Sequence, residues 1–104
     1  NNYSVMIMKS EQAIQSDILK YLKSVGAYTI KVSAATKAGI PDIICCYKGR
    51  FIAIEVKRPE TKTNVSPLQV ANITMIINAQ GRALIAWDKE MVKTFINNID
   101  KEIT

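Results

Sequence analysis

The stretch running from Asp42 to Lys57, DIICCYKGRFIAIEVK, constrains the fold most. Two apolar runs flank Lys48-Gly49, the pattern of a β-hairpin. With Lys48 and Gly49 as the two central turn residues, Tyr47 faces Arg50, Cys46 faces Phe51, and Asp42 arrives opposite Glu55. Directly opposed residues carry their Cβ atoms about 4.5–5.5 Å apart on one face. Lys57, two residues beyond Glu55, shares that face. One strand end therefore gathers two carboxylates and an ammonium. The register depends on a turn with Lys at positive φ, which is not a favoured choice. A three-residue loop with a bulge would shift the pairing by one.

The flanking segments supply the other elements. Ser10 can cap a helix over about 11–25, with Ile14, Ile18, Leu22 and Val25 as its apolar stripe and Gly26 as its stop. AYTIKVSA alternates Tyr28, Ile30 and Val32 against Thr29, Lys31 and Ser33, a strand with one wet face. ATKAG, residues 35–39, is a loop. Ser66-Pro67 opens a second helix that runs to about Gln80 and ends at Gly81. RALIAW, residues 82–87, is a fourth strand, and Asp88 caps a last helix with Met91, Val92, Phe95, Ile96 and Ile99 inward. The order is αβββαβα. The strand–helix–strand unit from Arg50 to Trp87 requires a right-handed crossover between parallel strands. The expected fold is α/β: a mixed four-stranded sheet flanked by helices. A chain of 104 residues suits one domain, 1–104, with a core at about 11–87 and a C-terminal helix at about 89–99.

Composition narrows the chemistry. The chain has no histidine, which removes imidazole acid–base catalysis, Ser-His and Cys-His nucleophile pairs, and His-ligated zinc. Catalysis has to run on carboxylates, lysine, hydroxyls or an oxygen-bound metal. The net charge of +5 favours an anionic partner, nucleic acid above all. Lys31, Lys37, Lys48, Arg58 and Lys62 are the candidates for phosphate contact, each weighed against an ordinary solvated cation. The adjacent Cys45 and Cys46 point to opposite strand faces and so cannot readily pair or chelate one metal. They read as small core residues in a reducing compartment such as the cytoplasm. No run approaches the ~18 apolar residues of a membrane span. Residues 1–10 carry an apolar patch, Val5 to Met8, but no basic n-region or cleavage pattern, so no signal peptide is expected.

Two carboxylates at about 5 Å repel, and half-buried they raise each other's pKa. A hard divalent cation removes that cost. Mg²⁺ accepts one or two carboxylates together with waters and substrate phosphate oxygens. A basic, His-free chain with Asp42, Glu55 and Lys57 together reads as a metal-dependent phosphodiesterase, in which Lys57 orients water or neutralises phosphate. The bland alternative has Asp42 capping the corner after Pro41 and Glu55 with Lys57 as a solvated cross-strand pair. Glu11 lies one turn before Ile14 on the core-facing stripe, an odd place for an acid. A favourable charge at a helix N-terminus is its other explanation. Gln15, one turn after Glu11, is a weaker candidate, with a solvated helix face as its other explanation. Trp87 reads as core rather than as a base-stacking platform.

Pro41-Asp42 followed across a hairpin by Glu55-Val56-Lys57 resembles the signature of the PD-(D/E)XK nucleases. The wider set is similar to their VRR-NUC group, the virus-type replication–repair nucleases. It comprises Glu11 and Gln15 on the first helix, GIPD at 39–42, IEVK at 54–57 with Arg58-Pro59, and Ser66 with Gln69. The likeness spans roughly Glu11 to Trp87. It implies a restriction-endonuclease-like core and an Mg²⁺ (or Mn²⁺) site. Asp42, Glu55 and the main-chain carbonyl of Val56 would be its ligands, with Glu11 reaching the metal directly or through water. Lys57 would be the catalytic lysine, and Gln69 would point in from the second helix. Gln69 also completes a capping box, Ser66-x-x-Gln69, and both readings stay open.

The expected activity is metal-dependent endonucleolytic cleavage of DNA, with the four-way (Holliday) junction as the leading substrate and a homodimer as the working form. Stand-alone viral-type members resemble dimeric junction-cutting enzymes, and a phage-encoded chain would work in the host cytoplasm. The alternatives are a catalytically silent nucleic-acid-binding module and a subunit or fragment of a larger repair or replication enzyme.

Overall fold

A computed structural model describes residues 9–34 and 37–104. The apolar patch at 5–8 and part of the 35–39 loop lie outside the described residues. The elements are α1 (Glu11–Ser24), β1 (Tyr28–Lys31), β2 (Ile43–Tyr47), β3 (Arg50–Val56), α2 (Pro67–Asn78), β4 (Arg82–Ala86) and α3 (Lys89–Ile103), with a short 3-10 turn at Pro59–Thr61. The strands form one sheet in the order β1-β2-β3-β4. The first two pairings are antiparallel and β3–β4 is parallel. The order αβββαβα and the mixed sheet are those expected.

The hairpin takes the two-residue turn. Lys48 and Gly49 both have positive φ, 48° and 81°, as a primed turn requires. Tyr47 pairs with Arg50 and Ile43 with Ile54. Lys48 accepts the left-handed conformation although lysine does not favour it. Its Nζ is tied to Asp100 Oδ1 at 2.8 Å, and Asp100 also accepts from the Tyr47 hydroxyl at 2.7 Å.

Strand alternation decides which face is the core. Ile43, Cys45, Tyr47, Ile52, Ile54, Val56 and Ala86 point to one side. They close against Ile14, Ile18 and Leu22 of α1 and Val92, Ile96 and Ile99 of α3. Each helix starts with a side-chain cap: Ser10 accepts from Ala13 N–H, Ser66 from Gln69 N–H and Asp88 from Met91 N–H. Helix α2 lies on the opposite face, over β3 and β4.

Five expectations change. Strand β1 is four residues long, and its apolar members Tyr28 and Ile30 are exposed, because they share the outer face with Cys46 and Phe51, which α2 does not cover. For the same reason Cys45 is core and Cys46 is exposed. The residue that turns the chain out of α2 is Gln80, at φ 70°, and not Gly81. Gly81 is needed for space, since a Cβ there would sit 2.9 Å from Ile76 Cγ2 and 3.1 Å from Phe51 Cδ1. Gln15 is buried, not solvated. Helix α3 continues four residues past 99. Among the described residues no helix is long and apolar enough to cross a membrane.

Candidate active site

The site forms where β2 begins and β3 ends. Gly39-Ile40-Pro41 turns the chain into β2, with Pro41 buried and Asp42 half-buried. The ladder pairs Ile43 with Ile54, so Asp42 stands across from Glu55. Asp42 Oδ2 accepts from the Val56 N–H at 2.7 Å, which aims the carboxylate along the end of β3. Strand β3 extends past its neighbour because the Lys57 N–H still bonds to the Ala86 carbonyl of β4.

Glu55 is 3% exposed, on the α2 face of the sheet. Its Oε2 accepts from Gln69 Nε2 at 3.1 Å and lies 3.9 Å from Lys57 Nζ. The Glu55 carboxyl is pushed up to about 8. Burial is the largest cause, followed by the charge of Asp42 and a hydrogen bond shared with it. Lys57 pulls the other way and loses, while Glu11 adds a smaller upward push. At neutral pH the pair therefore holds a proton, because the single charge of Lys57 does not offset burial and the Asp42 charge.

Gln69 answers both of its sequence readings at once. Its Oε1 accepts from the Ser66 N–H at 3.0 Å, closing the capping box, and this leaves Nε2 to face Glu55. The cap thus fixes which end of the amide meets the carboxylate.

The remaining candidates divide. Glu11 opens α1 half-buried, near enough for its charge to act on Glu55. It stands off from the pair: among the described residues no three or more His, Cys, Asp or Glu side chains form a metal-binding group. Arg58 follows Lys57 and pairs with Glu60 at 3.5 Å. Lys62 lies over the half-buried Trp87 ring, 4.9 Å from its centroid. Trp87 also lines a cavity of about 750 Å³ with Ile14 and Pro59. Lys37 and Lys31 are exposed. Lys48 is not brought to the site. It sits at the hairpin turn, five residues of β3 away from Glu55, or roughly 16 Å. Sequence reading passed over Asn72, the single buried residue of α2. An Asn between Ala71 and Ile73, in the middle of an apolar helix, was the available signal.

A metal-free site of this kind has a measurable pH signature. Glu55 has an ordinary value of 4.5 and a folded value of about 8. A carboxyl raised on folding favours the native state at low pH, and that contribution is lost as pH rises from about 4.5 through about 8. In chelator the parent protein should lose on the order of 3 kcal/mol between pH 5 and pH 9 relative to Glu55→Gln, which has nothing to titrate there. Urea midpoints of the two proteins at both pH values check this. A parallel pH dependence would remove the raised carboxyl from the site.

The mixed sheet with flanking helices fits a PD-(D/E)XK-type nuclease. The comparisons agree on the class. Residues 9–103 match the family model described as archaeal Holliday junction resolvase (Hjc). The chain belongs to that family, and its activity is that of a structure-selective endonuclease on branched DNA. A solved structure described as a VRR_NUC domain superposes with a TM-score of 0.71 at 20% identity, covering 84% of this chain and 94% of that one. The structure of Archaeoglobus fulgidus Hjc, described as a Holliday junction resolvase from an archaeal hyperthermophile, gives 0.48 at 21% identity, covering 72% and 65%. No curated protein matches the chain.

Proposed function

We propose that the chain hydrolyses phosphodiester bonds at the Asp42–Glu55 pair with a divalent cation, Mg²⁺ or Mn²⁺, and acts as a homodimer on four-way junctions. The observation that carries the metal reading is the carboxylate pair itself, half-buried Asp42 across from buried Glu55, with Glu55 pushed up to about 8. A cation in place of the shared proton relieves both the repulsion and the burial cost. The donor set suits a hard ion. Asp42, Glu55 and the Val56 main-chain carbonyl are oxygen ligands, Glu11 would reach through water, and no imidazole is present. When bound, the cation lowers the pKa of water and stabilises charge on the phosphodiester.

The chain's own groups do the rest. The Val56 N–H holds Asp42, and Gln69 holds Glu55. Lys57, with its side chain only 13% exposed, would orient the attacking water and offset the charge building on the phosphate. Labelled junction incubated with Mg²⁺, Mn²⁺ or EDTA tests the reading. Cutting is expected with either ion and not with EDTA, and undiminished cutting in EDTA would overturn it.

An exposed apolar surface supports the homodimer. Helix α2 exposes Leu68, Val70, Met75 and Ile77, and the uncovered sheet face beside it exposes Tyr28, Ile30 and Phe51. Large apolar side chains left exposed on both flanks of α2 and on the sheet beside it suit a partner surface. A two-fold partner would bury it and supply two cutting sites at fixed spacing. The double change Met75→Glu and Ile77→Glu should halve the mass seen by light scattering while leaving circular dichroism intact. A parent protein that is already monomeric at working concentration would refute the assembly.

A further inference from the structure

One carboxylate stands just before β2 and the other lies on β3, yet both are indexed to one helix. Gln69 on α2 holds Glu55. Three residues on, Asn72 is the single buried residue of that helix. Burial alone would favour Leu or Ile at such a position. The amide is used instead. Asn72 Nδ2 donates to the Leu68 carbonyl at 2.8 Å, one turn back, and to the Ala38 carbonyl at 3.3 Å, across the gap to the loop before β2.

The loop is pressed onto the helix at that point. Gly39 has φ +83°, and a Cβ built on it would meet the Leu68 carbonyl oxygen at 2.6 Å and Asn72 Nδ2 at 2.9 Å. Only Ile40 and the buried Pro41 separate this contact from Asp42. Proline fixes its own φ and restricts the residue before it. The corner is therefore a short, stiff arm from Asn72 to the carboxylate.

We propose that Asn72 is a positioning residue for cleavage. By clamping the Ala38-Gly39 corner to α2, it sets where Asp42 stands relative to Glu55. It touches neither substrate nor either carboxylate. Its effect runs through the corner, and it rests on the assignment of Asp42 and Glu55 as the reacting pair. Geometry held to a fraction of an ångström is what such a pair needs, and small displacements cost large factors in rate.

The test is single-turnover cleavage of a four-way junction by Asn72→Ala and Asn72→Asp. The second variant keeps the volume and loses the donor. Both should cut 10- to 100-fold more slowly at saturating DNA, with junction affinity within about threefold of the parent, and both should need more Mg²⁺ for half-maximal rate. Gly39→Ala should reproduce the defect from the loop side. Combining it with Asn72→Ala should add little, because the two changes break one contact. Rates are taken per folded protein, with the folded fraction read by circular dichroism. An unchanged rate per folded molecule would make Asn72 a packing residue and overturn the proposal. A defect confined to junction affinity would also overturn it, since the corner would then be a DNA contact. A parent that cuts in EDTA would instead undo the metal assignment, a result separable from both.

Discussion

Exchanging Asp42 for Asn, or Glu55 for Gln, should abolish junction cleavage while leaving a folded protein that still binds the junction. Either change deletes one formal charge from the pair as it would stand with a cation bound, and hardly alters its shape. The loss should exceed about 10³-fold, or roughly 4 kcal/mol of barrier, because under the proposed assignment each carboxylate would be a ligand of the cation that would offset transition-state charge. Asn at 42 can still accept the Val56 N–H through its amide oxygen, and Gln at 55 can still accept from Gln69. The scaffold contacts therefore survive, and the effect isolates charge. Gel shift in the absence of metal checks binding, and quenched-flow cleavage checks rate. Parent-like cutting by both variants, with folding verified, would place the chemistry elsewhere in the molecule.

Lys57→Ala should separate binding from chemistry in a different way. The Lys57 ammonium lies 3.9 Å from Glu55 Oε2 and is largely enclosed. It belongs to the cluster without being able to ligate a cation. Preorganised positive charge aimed at developing negative charge is worth about 3–4 kcal/mol. The variant should thus cut about 10²–10³-fold more slowly at saturating DNA, with metal and junction affinity close to the parent's. A weakened junction affinity with an unchanged saturated rate would reduce Lys57 to a phosphate contact. The variant also bears on Glu55. Removing that positive charge takes away the pull that opposes burial and Asp42, so the variant's pH–rate profile should shift to higher pH.

Much of this site could be read from the chain because a hairpin register is arithmetic. Once Lys48-Gly49 is taken as the turn, each residue of β2 has one partner on β3, and Asp42 falls opposite Glu55 whatever surrounds them. What the sequence leaves open is which partner a side chain meets beyond its own ladder. Gln69 read equally well as a cap and as a site residue. The fold uses both ends of one amide, and no local pattern reports that. Lys48 counted toward a basic surface by composition alone, but the same register that joins Asp42 to Glu55 sends the turn to the far end of the hairpin.

The misreadings share a physical cause. Tyr28 and Ile30 alternate like core residues, but alternation names a face and not what covers it. The helix that covers this face lies over β3 and β4 and leaves them exposed. Gly81 looked like the residue that ends α2 because glycine favours positive φ. The fold gives that φ to Gln80 and uses Gly81 for its missing side chain. Asn72 is the instructive omission. An amide in mid-helix is a weak signal until the loop it binds, more than thirty residues earlier, is folded against it.

Calorimetric titration of Mg²⁺ or Mn²⁺ into the protein at pH 7, repeated in buffers of different ionisation enthalpy, examines the carboxylate pair most directly. With Glu55 pushed up to about 8, the pair carries a proton that the cation has to displace. Binding should be saturable and release close to one proton per ion. Both binding and release should be lost in Asp42→Asn and Glu55→Gln. Saturable binding that releases no proton, or binding that survives both substitutions, would mean that this pair is not the metal site.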